Sequence, residues 1–327
     1  MELLRALGLR PAMCHLAAMA ILATRATWRQ AVSAENDVAV AALFFATLLY
    51  ALRYARGGKR ADLVLAAVAF GLLCGIKYYA LGYAAVAGLG TALSVAAYRG
   101  PRAAGGAFAA SLAGALLLGG YWYARNAVAS GTPLYPKGFT PETDVWGQIR
   151  PDTPTSTLLG SGRPVVWPLL AEAIAVMAGP CHLVAALLLP AVLVWLFVAS
   201  YLGRSRSDQG ASLYAWLALL AVLSLLVFIN MPNVVETVPG SMNMLRWKYH
   251  PVRFGLCPLS LAVIGLAVVS SDVMNSFSSS SPPANERSAT QTLLQKNVSR
   301  ALAAGLVVVS RLIIVGLWVS GLVYQVV

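Results

Sequence analysis

The stretch ENDVAVAALFFATLLYALRYA, residues 35–55, is an acidic tripeptide followed by an apolar run, 38–55, interrupted by a single charge at Arg53. A helix of that length covers roughly 27 Å at 1.5 Å per residue, close to the ~30 Å hydrocarbon core of a bilayer. Lipid offers no partner to backbone N–H and C=O groups, so a run of this kind folds as a helix. Similar runs recur at 11–23, 61–76, 79–98, 103–123, 180–202, 211–229, 254–271 and 301–326. The expected fold class is therefore all-α, a polytopic transmembrane helical bundle of about 8–10 spans. A further piece, 164–178, holds Trp167 and Glu172 and is bounded by prolines. It reads as a helix lying at the membrane interface rather than as another span.

Composition agrees with that reading. The 327 residues are 59% hydrophobic and 11% charged, with a mean hydropathy of +0.71, against roughly 25% charged residues in an ordinary soluble domain. The net charge of +12 would suggest nucleic acid in a soluble chain. Here the cations sit in short loops beside apolar runs, where they set orientation, and no nucleic-acid partner is expected. Cys14, Cys74, Cys181 and Cys257 fall inside or beside apolar runs without CxxC or metal-ligand spacing, so they read as small hydrophobes. No cleavable signal peptide is expected at the amphipathic, basic opening 1–11.

With a cytoplasmic amino terminus, the loops on that side hold 13 of the 24 cations, among them Arg53, Arg56, Lys59, Arg60, Arg99 and Arg102. That asymmetry fixes the expected orientation in a plasma or inner membrane. Ten cations, including Lys77, Arg125, Arg246 and Arg253, and seven acids, including Glu35 and Asp37, then face the extracytoplasmic side. Residues 130–163, rich in Pro, Thr, Gly and Ser, form a long outer loop. Residues 272–299, with Ser278 to Ser281 followed by two prolines, are expected to be a disordered cytoplasmic linker. The organisation is thus a membrane core over 1–271, the linker 272–299 and a last helix in 300–327.

Several polar clusters interrupt the apolar chain. Glu35-Asn36-Asp37 precedes a span; Asp37 can cap that helix, and two carboxylates two residues apart can orient a hydroxyl or hold a divalent cation. Lys77, with Tyr78 and Tyr79, sits at the turn of a helical hairpin, where it either snorkels between the rings or binds phosphate as a point charge. Arg125 and Asn126 follow Tyr121-Trp122-Tyr123 and run on to Pro133-Leu134-Tyr135-Pro136. An aromatic interface belt with a basic anchor accounts for part of this pattern, and the prolines are expected to stop the helix. A second basic and aromatic group, Arg246, Trp247, Lys248, Tyr249, His250 and Arg253, precedes Phe254 and suits an anionic lipid head group. A solvated loop face is the competing account. His15 and His182, isolated in apolar runs, read as hydrogen-bonded core residues. Arg311 lies inside the last run, and no role is assigned to it.

These clusters resemble the polytopic GT-C glycosyltransferases, in the branch of protein O-mannosyltransferases and lipid A aminoarabinose transferases. The matching features are Glu35 to Asp37 as an outer acidic motif, Gly71 to Tyr78 as G-x-x-x-x-x-K-Y, Trp122 to Asn126 with Gly131, Pro133, Tyr135 and Pro136, and Arg253-Phe254 with Pro258. The resemblance implies transfer of a sugar from a polyprenyl-phosphate donor to a lipid, glycan or protein acceptor at the extracytoplasmic face. It implies that Lys77, Tyr78, Arg125, Asn126, Tyr135, Arg246, His250 and Arg253 bind substrate. Asp37 and Glu35 would assist catalysis, with a divalent cation as an optional ligand of the pair and no other cofactor. The family's principal aspartate lies between its first two spans, and residues 1–10 resemble the cytoplasmic loop that follows them. On the resemblance this chain lacks those two spans. The alternatives are a transporter or flippase, whose path the polar clusters would line, and a catalytically inactive membrane fragment.

Overall fold

A computed structural model describes residues 1–31, 36–131, 133, 158, 164–201, 208–231 and 250–278. Among them the secondary structure is helical, with no strand. Three short helices open the chain, α1 (Glu2–Ala6), α2 (Pro11–Leu22) and α3 (Arg25–Ala31). Then α4 (Asp37–Gly57), α5 (Arg60–Ile76) and α6 (Ala80–Arg99) run up, down and up. Next, α7 (Pro101–Gly114) passes through one π turn (Ala115–Gly119) directly into α8 (Gly120–Ser130). After these come α9 (Val166–Ala178), α10 (Pro180–Tyr201), α11 (Asp208–Asn230), α12 (His250–Phe254) and α13 (Leu256–Ser278).

Among the described residues four stretches are long and apolar enough to cross a membrane: Asp37–Gly57, Ala80–Arg99, Pro101–Ser130 and Leu213–Asn230. The apolar α2 and α9 are shorter, and 301–326 lies outside the described residues. The α7–α8 stretch of 30 residues is about 45 Å long. That length exceeds a bilayer core, so its final turns can reach the interface. Its outer surface is oily: Leu116, Leu117 and Val128 are 67%, 80% and 90% exposed. Such exposure would be a liability in water and is at home against acyl chains.

The bundle has two ends with different chemistry. At one, Gly58 closes α4 with φ 69°, a left-handed conformation that a side chain would strain. The Arg99 guanidinium lies where a Cβ on Gly58 would project, and it stacks on Tyr54 at 5.2 Å. Arg53 pairs with the buried Asp62 at 3.3 Å on the same end. At the other end lie Asp37, the α5–α6 turn and α8.

Helix α5 packs against α7 backbone to backbone. A Cβ on Gly71 would collide with the Gly114 carbonyl, one on Gly114 with the Ala67 carbonyl, and one on Gly75 with Gly119. On α5 the small residues Ala67, Gly71 and Gly75 repeat every four positions, the spacing that keeps one helix face. On the partner, Gly114 and Gly119 are five apart, which in an α-helix would rotate them about 140° away from each other. The π turn between them widens the repeat to five and restores one face.

Most buried side chains form one core, in which Phe44, Leu48, Leu52, Leu73 and Tyr83 meet Leu217, Leu220 and Leu261. A smaller cluster joins Val166, Leu170, Ile174 and Met177 of α9 to Phe228, Val252 and Leu256. It holds α12 beneath α9 at the Asp37 end. His182, 2% exposed, bonds the Ala20 carbonyl at 3.1 Å. His15 bonds the Pro11 carbonyl at 2.7 Å. Both histidines are thus hydrogen-bonded to backbone, His182 in the core and His15 on an exposed face.

Two boundaries differ from the expectation. Helix α13 continues past residue 271 to Ser278. The fifth span does not end at its aromatic cluster: it runs through Tyr121 to Asn126 and ends at Gly131, φ 73°, two residues before Pro133. Glycine in the left-handed conformation stops this helix before proline can act.

Candidate functional site

Asp37 is the first helical residue of α4 and Asn36 its N-cap; no side-chain capping bond forms. The helix start thus falls one residue earlier than Asp37 capping would place it, and the carboxylate turns to tertiary partners. Its side chain is 0% exposed. Lys77, in extended backbone after α5, ends that helix, and its ammonium donates to Asp37 Oδ1 at 2.5 Å. The Tyr79 hydroxyl, in the turn before α6, donates to the same oxygen. Arg253 of α12 brings Nε to 3.4 Å from Asp37 Oδ2, an ion pair without hydrogen-bond geometry. Three side chains from two segments, the α5–α6 turn and α12, thus converge on one buried carboxylate.

Aromatic rings wall the cluster. Tyr79 lies 4.8 Å from Phe254 in an edge-to-face contact, Lys77 sits 5.6 Å from the Tyr79 ring centre, and Arg253 covers Phe254 at 4.8 Å. One turn along α6, Tyr83 donates its hydroxyl to the Phe254 carbonyl at 2.6 Å, fixing α12 to the bundle. Burial, reinforced by the adjacent Asp37 charge, pushes the Tyr79 phenol well above its ordinary range, so it stays a donor. Burial also draws the Arg253 guanidinium below its usual value. The positive end of the α4 dipole adds to the field at Asp37. Counting formal charges, Asp37, Lys77 and Arg253 sum to +1.

Beside this cluster a second contact ties α8 to the hairpin. Asn126 donates to the Tyr78 hydroxyl at 2.7 Å, Tyr123 donates to the Cys74 carbonyl at 2.6 Å, and the Tyr78 and Tyr123 rings meet edge to face at 6.1 Å. Arg125 is placed differently from Lys77: it is exposed and lies over the Trp122 ring at 5.3 Å. That is the aromatic-belt arrangement.

The structure therefore gathers Asp37, Lys77 and Arg253, and separately Tyr78 with Asn126. Glu35, Tyr135 and Arg246 lie outside the described residues; His250 opens α12 with its side chain likewise outside them. Tyr79 and Tyr83 were not singled out as site residues. Their spacing of four, which puts two hydroxyls on one helix face, was the available signal. A divalent cation at Asp37 would face the positive charges of Lys77 and Arg253, and Oδ1 already accepts two donors. The described half of the Glu35–Asp37 pair does not fit a metal ligand. Among the described residues no group of three His, Cys, Asp or Glu side chains is suited to a metal ion.

No protein-family model, curated protein or solved structure matches this chain. The likeness to GT-C glycosyltransferases accordingly rests on the motifs alone.

Proposed function

We propose that this is a membrane glycosyltransferase that moves a sugar from a polyprenyl-phosphate donor to an acceptor at the extracytoplasmic face. The observation that supports it is the pairing of Lys77 and Arg253 on one buried carboxylate, a cluster of net +1 walled by Tyr79 and Phe254. A lipid-linked phosphate presents an anion and a greasy tail together, which matches cations set among aromatic rings at one end of an apolar bundle.

In this reading Lys77 and Arg253 stabilise the departing phosphate. The acceptor oxygen forms a bond to the anomeric carbon while the bond from that carbon to the phosphate oxygen breaks. The electron pair leaves with the phosphate, the acceptor proton passes to water at the extracytoplasmic face, and the anomeric centre inverts. Positive groups aimed at the developing charge lower the barrier because they need no reorganisation. Asp37 has no exposed side-chain surface, so it acts as a positioning residue that holds the two cations. Tyr78 and Asn126 brace the hairpin that carries Lys77.

The test is release of polyprenyl phosphate by the full-length protein in lipid nanodiscs. Lys77→Ala and Arg253→Ala should each lower the rate at least about tenfold. Unchanged rates in folded variants would overturn the assignment. A second reading, an inactive helix clamp, is favoured by the complete closure of Asp37. It predicts no release from the unaltered protein with any lipid-linked sugar.

A further inference from the structure

We infer that the opposite end of the bundle holds an anionic phospholipid from the bilayer, seated between α4, α6 and α11. A cavity of about 280 Å³ opens there, lined by Leu52, Leu93, Ala97, Tyr98, Trp216 and Leu219. Leu93 and Leu219, on its walls, are 41% and 38% exposed. The cavity therefore opens toward the outer surface of the bundle, where acyl chains run. Trp216 forms an inner wall, 7% exposed and held by its indole N–H on the Gly90 carbonyl at 2.8 Å.

One edge of this apolar slot is cationic. Arg56 covers the Tyr98 ring at 5.6 Å and donates to its hydroxyl at 3.4 Å. Arg99, next in the chain, stacks on Tyr54. The α4–α5 and α6–α7 connections, with the helix turns that flank them, carry six cations, Arg53, Arg56, Lys59, Arg60, Arg99 and Arg102, and one acid, Asp62. Asp62 is already paired with Arg53 at 3.3 Å. An apolar slot with a net positive rim complements a molecule that is oily in the body and negative at the head. Basic pockets between membrane helices bind anionic lipid head groups for this reason. Apart from Ser94 and the Tyr98 hydroxyl the slot's walls are apolar, and its opening faces the lipid side, so it suits an oily body rather than a water-soluble anion.

The test uses brominated acyl chains, which quench tryptophan on contact. Full-length protein and its Trp216→Phe variant are placed in nanodiscs with brominated phosphatidylglycerol or brominated phosphatidylcholine at equal mole fraction. The emission that disappears with Trp216→Phe should be quenched preferentially by the anionic lipid. Arg56→Gln should reduce that preference about fivefold, the equivalent of about 1 kcal/mol per basic residue near an anionic surface. Ala97→Phe, which fills the slot, should abolish the quenching. Equal quenching by the two lipids would overturn the proposal, as would quenching that survives Ala97→Phe. So would a Trp216 emission that neither lipid reaches, which would mean that another part of the chain or a second copy covers the slot. The head-group comparison needs no filled variant, so it decides the question even where Ala97→Phe fails to fold.

Discussion

Lys77 Nζ lies 2.5 Å from Asp37 Oδ1, joining the end of α5 to the start of α4 across 40 residues of chain. Arg253 meets the other oxygen of the same carboxylate. Because the acid is wholly buried and its partners are mostly so, the cluster is costly to break: removing one member leaves charges without their counterpart in an apolar setting.

Asp37→Ala should therefore destabilise the protein by about 3–5 kcal/mol, the range for an interrupted buried ion pair. Lys77→Met should cost less, since its side chain is 27% exposed. The double variant should recover about 0.5–3 kcal/mol of the summed losses, the coupling of residues in contact. Unfolding by denaturing detergent, followed by circular dichroism, measures all three. Strict additivity would contradict the contact.

Gly71→Ala should loosen the α5–α7 packing by about 1–3 kcal/mol, because the added methyl has no room against the Gly114 carbonyl. Gly105→Ala is the control. A Cβ there meets nothing within 4 Å, so the change should be neutral or stabilise by about 0.5–1 kcal/mol through helix propensity. Thermal unfolding in mild detergent compares the pair, and equal effects would refute the close approach.

Asn126→Ala should cost about 1 kcal/mol by removing the donor to Tyr78. Arg125→Ala, one residue earlier but exposed on Trp122, should change stability by no more than about 0.5 kcal/mol. Hydrogen exchange of α8 in nanodiscs should rise with the first substitution and stay constant with the second.

Much of this fold was legible in the sequence because membrane helices announce themselves by length. The runs at 38–55 and 79–98 became α4 and α6 within two residues at each end. The polar positions Asp37, Lys77 and Arg253 were legible for the same reason, since charge beside an apolar run needs a partner or a job. Their convergence was not legible, because no local pattern says which loops meet. Nor was the π turn: Ala115-Leu116-Leu117-Leu118-Gly119 reads as ordinary helix. Only the mismatch between glycines four apart on α5 and five apart on its partner hints at the change of repeat. The helix start at Asp37 was missed by one residue, since Asn36 and Asp37 are both good N-caps and only tertiary contact selects between them.

Binding of a short polyprenyl phosphate to the full-length protein in nanodiscs tests the central claim most directly. Lys77→Gln and Arg253→Gln should each weaken binding about tenfold or more, as loss of a charged hydrogen-bonding partner requires, and Gly105→Ala, where an added methyl meets nothing within 4 Å, should leave it unchanged. Equal affinities for all four proteins would contradict an anion grip at Asp37.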